Sequence, residues 1–251
     1  MYGNVIVSLA TILMLELLPE ASTASRLGGS SALGIAGASI TLYLCLVRAG
    51  FLAWRGRGAW AMDQETFHIF HSSLIQRFVI GATVLYGLML YWLGWRGLWS
   101  VPVIRFSHAL GSLLGIMPFL VLLAGVWAAC YPGRLRAGKT LFPYLWVHAR
   151  LYLPVLIPWF TILCFTDLVG LVTPELEGKL QEDLFWGLGI FALLLLVLVW
   201  AFPRLVIALW KCPALPSGHL RRTMEDFFRA HGFRYSGIHL WTMLQGGVST
   251  A

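Results

Sequence analysis

The chain has 251 residues, 59% of them hydrophobic and only 12% charged, with a mean hydropathy of +0.77. A water-soluble domain of this length needs far more charged surface, so composition argues for a multi-pass membrane protein. The net charge of +7 is not a nucleic-acid signal, because the basic residues lie between apolar stretches, where they meet lipid headgroups.

The chain opens Met1-Tyr2-Gly3-Asn4, with no basic side chain ahead of the apolar run. Cleaved signal peptides begin with Lys or Arg there, so a retained first helix is expected. A span needs about 20 apolar residues to cross a hydrocarbon core of about 30 Å. Six stretches approach that: 5–18, closed by Pro19; 31–47, ending at Arg48; 78–95; 109–131, ending at Pro132-Gly133; 151–172, ending before Pro174; and 184–202, followed by Pro203-Arg204. The first is the shortest, and Pro154 and Pro158 predict local irregularity in the fifth. Trp92, Trp95 and Trp99 cluster at one end of the third, and Trp210 follows the sixth, which places these rings in the headgroup layer.

Six crossings put the N-terminus, the second and fourth loops and the tail on one side. Fourteen of the eighteen basic residues fall there, among them Arg48, Arg55, Arg57 and Arg77 in the second loop and Arg134, Arg136, Lys139 and Arg150 in the fourth. The other side keeps Arg26, Arg96, Arg105 and Lys179, and its last loop is acidic, with Glu175, Glu177, Glu182 and Asp183. Basic loops stay in the cytoplasm, so both termini are expected there.

The apolar density falls at Cys212-Pro213. Beyond Pro216-Ser217-Gly218, residues 219–231 read as an amphipathic helix: Leu220, Met224, Phe227 and Phe228 share one face, and Arg221, Arg222, Glu225, Asp226 and Arg229 the other. The spacing predicts Arg222–Asp226 and Glu225–Arg229 pairs, and Gly232 is the expected terminator. Residues 238–243 alternate, with Ile238, Leu240 and Thr242 on one face and His239, Trp241 and Met243 on the other, which predicts a strand. A lone helix and strand do not fold by themselves. No upstream segment is expected to pair with that strand, so its partners are expected downstream of Ala251.

Other constellations carry little chemistry. His68 and His71 form the one close histidine pair, three apart on a helix face, where two rings can approach a metal; a juxtamembrane helix on the cytoplasmic surface is the simpler reading. Asp167, near the end of the fifth span, and Glu16 are read as structural acids near the interface. His108 and His148 flank spans and are expected against headgroups. His219, His231 and His239 have no compact metal spacing. Cys45, Cys130, Cys164 and Cys212 form no C-x-x-C pair and are read as small apolar residues.

The stretch "LRRTMEDFFRAHGFRYSGIHLW" (220–241) resembles the opening of the cytoplasmic domain in membrane-bound zinc metallopeptidases of the HtpX-like and CAAX-prenyl-protease type. There, apolar helices come first, and the domain opens in the style L-R-x-x-x-E-x-x-x-R-x-x-G-F, matched here by Leu220, Arg221, Glu225, Arg229, Gly232 and Phe233. Residues 245–251, "QGGVSTA", are similar to the stretch leading to that domain's second strand, and "MYGN" with the junction before residue 220 is similar to a bacterial branch with a long membrane region. The resemblance implies an all-α multi-pass membrane region of about six transmembrane helices (1–212), followed by the first helix and strand of an incomplete α+β cytoplasmic domain (213–251). It implies a zinc-dependent endopeptidase of the bacterial inner membrane, acting on membrane or misfolded proteins, whose H-E-x-x-H motif supplies zinc ligands and a general base. No histidine in this chain is followed by glutamate. No catalytic, cofactor-binding or metal-ligating residue is therefore assigned here. Zn2+ is expected for the whole peptidase and not for these residues alone, and the expected partners are the bilayer, protein substrates and a catalytic part beyond residue 251. The competing expectation is a complete transporter or sensor with a surface-bound or partner-binding tail.

Overall fold

The computed structural model describes residues 2–17, 29–56, 64–95, 107–131, 140–172 and 184–240. Among them are seven helices and no strand: α1 (Tyr2–Leu17), α2 (Gly29–Gly56), α3 (Gln64–Leu93), α4 (His108–Ala129), α5 (Leu141–Val172), α6 (Leu184–Trp210) and α7 (His219–Ala230). Each predicted apolar stretch lies within or almost within one helix. Four helices, α2 to α5, are long and apolar enough to cross a membrane. α1 has 16 residues, about 24 Å at about 1.5 Å per residue. It and the 199–210 part of α6 are shorter apolar helices among the described residues, so length and composition carry four spans rather than the expected six.

α4 is the hub, packing against α1, α2, α3 and α5, while α6 packs on α5. Its buried face, with Ile116, Phe119, Leu122, Leu123 and Val126, meets Leu15 of α1, Val47 and Phe51 of α2, and Val79 and Tyr86 of α3 in one core. Lipid tails are as apolar as leucine, so close packing rather than water exclusion holds such helices together. Two glycines of α4 permit the approach. A Cβ at Gly115 would stand 2.7 Å from Leu15 of α1, and one at Gly125 would stand 2.5 Å from Leu44 of α2.

Two prolines inside helices are matched by indoles from other helices or their ends. A helical proline has no N–H for the carbonyl four residues earlier. Pro118 in α4 thus frees the Leu114 carbonyl, and the Trp95 indole N–H donates to it at 3.2 Å. Pro154 in α5 frees the Arg150 carbonyl, and the Trp210 indole N–H donates to it at 2.9 Å. α5 therefore runs unbroken through Pro154 and Pro158, where irregularity was expected. Trp95 is buried in the bundle, whereas its neighbour Trp92 is exposed. Trp99 lies outside the described residues.

α7 ends as its sequence predicts, and for a visible reason. Gly232 has φ +69°, the left-handed conformation glycine adopts cheaply. Its N–H donates to Arg229 O at 3.2 Å and the Phe233 N–H donates to Phe228 O at 2.9 Å, with the Phe228 and Phe233 rings 6.3 Å apart. That is a Schellman cap with its hydrophobic contact. The predicted ion pairs differ: Arg221 pairs with Glu225 at 2.7 Å, and Asp226 with Arg229 at 3.5 Å. Arg221 also donates to Leu215 O at 2.9 Å, which ties α7 to the segment before it and selects Glu225 as the partner one turn on.

The predicted strand at 238–243 is corrected. Residues 238–240 make one isolated antiparallel bridge, Ala214 opposite His239, closed by Leu215 N–H to Ile238 O and Leu240 N–H to Pro213 O, both 2.8 Å. Residues 241–243 lie outside the described residues. An upstream partner therefore exists, contrary to expectation: Pro213–Ser217 leaves α6 extended, which frees its backbone groups for a returning chain. The α+β character expected of the tail reduces, among the described residues, to a helix and this bridge.

Trp95→Phe is expected to cost about 1–3 kcal/mol by orphaning the Leu114 carbonyl. In a Pro118→Ala background, whose restored N–H serves that carbonyl, the cost falls to a few tenths, a coupling that a double-mutant cycle of unfolding in mixed micelles reads directly. Gly125→Leu is expected to cost about 1–3 kcal/mol in the same assay, through overpacking against Leu44.

Candidate functional site

Two polar constellations sit at opposite ends of the bundle. At one end, Asp167 of α5 caps α4. One carboxylate oxygen accepts from the Ser107 hydroxyl at 2.6 Å and the Ala109 N–H at 3.0 Å, and the other accepts from the His108 N–H at 2.8 Å. Ser107 Oγ in turn accepts from the Leu110 N–H at 3.1 Å. A carboxylate against a helix N-terminus is stabilised by the first-turn N–H groups and the helix dipole. Close by, the Ser112 hydroxyl reaches the Glu16 carboxylate at 3.5 Å. Asp167 is thus a structural acid, as its sequence position suggested, with its partner now specified; His108 is exposed there.

At the other end, Arg48 of α2 and His71 of α3 meet the C-terminal end of α4, and His148 of α5 packs beside it. The Arg48 guanidinium donates to Ala129 O at 2.7 Å, serving the last turn of α4. The His71 Nε2–H donates to Cys130 O at 2.9 Å, and its ring stacks on Phe67 at 5.5 Å beside Phe51 and Trp54. His148 of α5 stacks on Trp127 at 5.6 Å and meets the edge of Tyr144 at 4.6 Å. The Nε2 of His148 and the Oη of Tyr144 are both buried and find no hydrogen-bond partner among the described residues.

These placements correct two sequence readings. His71 is 4% exposed and His148 8%, so neither lies on the surface or against headgroups. The signal was present: Phe67, His71, Ile75, Val79, Ala82 and Tyr86 follow helical spacing along the buried face of α3, and Tyr144, His148, Leu151 and Tyr152 do so on α5. The side chain of His68, and with it the pair it would form with His71, lies outside the described residues. Two tail histidines are accounted for locally. His231 Nδ1–H donates to Phe227 O at 2.9 Å, and His239 Nδ1–H donates to Cys212 O at 3.2 Å. Burial pushes the Cys212 thiol up, which disfavours the thiolate a nucleophile needs.

Among the described residues no group of three or more His, Cys, Asp or Glu side chains could hold a metal ion. The donor set needed for a peptidase zinc is therefore not offered by the described residues. Comparison with known protein families, curated proteins and solved structures returns no match.

Asp167→Ala is expected to cost about 1–3 kcal/mol, because it strands the Ser107 hydroxyl and two backbone N–H groups, while Asp167→Asn, which keeps an acceptor, costs less. His148→Phe is expected to melt at or above the wild-type temperature in detergent, since it removes an unpaired buried polar atom while keeping the stack on Trp127.

Proposed function

We propose that this chain is the membrane-anchoring region of a zinc-dependent endopeptidase that acts on membrane or misfolded proteins, and that the zinc-binding H-E-x-x-H helix is contributed outside these 251 residues. The observation that carries the reading is α7. Its C-terminus is closed by a Schellman cap, yet none of its residues is buried. Leu220 is 60% exposed and Phe227 54%. The Schellman cap, the Arg221–Glu225 pair and the Gly232-Phe233 turn fall on the positions that resemble the opening of the peptidase domain. A helix so defined, with its apolar face bare, suits a domain whose remaining layers cover it.

In this reading α1 and α6 also cross, for six spans with both termini in the cytoplasm and the protein in the bacterial inner membrane. Three links support the topology. Tyr152 of α5 donates to Asn4 of α1 at 3.3 Å, Ser112 of α4 meets Glu16 of α1, and Trp210 of α6 meets Arg150 of α5. α1 thus runs parallel to α5, and α6 returns antiparallel. The end gathering Arg48, Arg150, Arg204 and Lys211 is the basic, cytoplasmic one. The bundle holds the peptidase domain at the bilayer, where membrane substrates present themselves.

A second reading is a complete transporter or sensor whose tail binds a partner or the membrane surface. It is favoured by the Ala214–His239 bridge, through which the tail finds a partner in its own chain, and by Leu215, which is 5% exposed.

The test is purification of the native gene product, by a tag ahead of α1, from its own membranes. The peptidase reading expects an H-E-x-x-H sequence in that polypeptide or in a co-purifying chain, one zinc per complex, and chelator-sensitive cleavage of an unfolded protein; residues 1–251 alone show neither zinc nor cleavage. A native product without that motif, zinc or cleavage overturns it in favour of the second reading.

A further inference from the structure

α1 and α6 both pack along α5, and between them they leave a groove of about 430 Å³. Leu9 and Ile12 of α1, Pro154, Pro158 and Ile162 of α5 and Phe202 of α6 line it. Pro154 and Pro158 lie four apart, one above the other on α5. Their short, rigid rings cannot reach across to fill the space, which is why α1 and α6 fail to close over this face. The groove runs from Pro154 to Ile162, about 12 Å along α5 at about 1.5 Å per residue.

Charged residues follow beyond both of its ends. Beyond Pro154 lies Arg150, whose carbonyl is pinned to Trp210, with Lys211 next in the chain. Beyond Ile12 lies Glu16, and beyond Ile162 lies Asp167. The groove is apolar along its length, with the two cations beyond its Pro154 mouth, while at the other end the Glu16 and Asp167 carboxylates are turned to Ser112 and to the first turn of α4. The cationic mouth is at the end where the helices meet the basic loops. An anionic amphiphile fits this arrangement in one orientation, with its head at Arg150 and Lys211 and its tail running inward.

We propose that the groove between α1, α5 and α6 holds one acyl chain of an anionic phospholipid, with its headgroup at Arg150 and Lys211. The site belongs to the membrane bundle and does not depend on a peptidase activity, so its failure and the failure of that reading are separable. An anionic headgroup brings the two cations a net counter-charge, whereas the phosphate of a zwitterionic headgroup is already balanced by its own ammonium, and an acyl chain matches the apolar lining of the trough.

The test uses the full chain reconstituted in nanodiscs containing equal amounts of phosphatidylglycerol and phosphatidylcholine, followed by native mass spectrometry after detergent washing. The wild type is expected to retain a single phosphatidylglycerol per chain. Leu9→Phe and Ile162→Trp, which fill the groove, are expected to reduce retention about tenfold, the effect of a loss of about 1.4 kcal/mol in affinity. The pair Arg150→Gln and Lys211→Gln is expected to retain lipid but lose the preference for phosphatidylglycerol. Equal retention by wild type and groove-filled chains, or equal retention of both lipids by the wild type, overturns the proposal. Should the filled variants unfold, a phosphatidylglycerol with a photoreactive tail decides on the wild type: cross-links within α1, α5 and α6 at the lining residues support the site, and cross-links spread over α2 and α3 overturn it.

Discussion

In a bilayer core no water is present to serve a backbone group left open, so each such group must find a protein partner. The central helix α4 shows how this chain meets that requirement. Its first N–H groups are served by Asp167 and Ser107, its last turn by Arg48, the following carbonyl of Cys130 by His71, and the carbonyl freed by Pro118 by Trp95. Apart from Ser107, which precedes the helix, each of these side chains comes from another part of the fold. α4 is therefore positioned by polar contacts at both ends and in its middle, and the apolar packing of Phe119, Leu122 and Val126 fills in around that frame.

The same requirement sorts the buried polar residues. Asp167 and His71 carry hydrogen bonds that the backbone needs. His148 and Tyr144 are different, since each keeps a buried polar atom without a partner among the described residues while its ring packs on aromatic neighbours. An unpaired group of this kind is a stability cost that packing offsets. The bundle thus contains polar side chains of two sorts, those that complete the backbone and those carried for their rings.

Hydropathy made the positions of the helices readable, because a long apolar run between Pro, Gly and Arg has few other outcomes. The end of α7 was readable too, since Gly232 and the residues around it satisfy a local motif. What escaped was set by distant partners. Trp95 lies beside an exposed tryptophan in sequence, and its burial depends on a proline 23 residues later. His71 and His148 were assigned to the surface because they flank long apolar stretches, although helical spacing continues the buried stripes through both. The ion pairs of α7 shifted by one position because Arg221 is also held by Leu215, and the tail's bridge was missed because Pro213–Leu215 carries no strand pattern of its own. No catalytic or metal site was assigned from the sequence, and the functional reading still rests on α7 and the residues beside it.

The Asp167 cap has a consequence for how the protein is made. Asp167 lies sixty positions after Ser107. At a synthesis rate of about 5–20 residues per second, the ribosome delivers that carboxylate roughly 3–12 s after the serine. Throughout that interval α4 exists without the group that completes its first turn. The growing chain must keep the start of α4 within reach of interfacial water, or sheltered by the insertion machinery, until α5 arrives. Seating the hub of the bundle is thereby a late event, timed by translation itself.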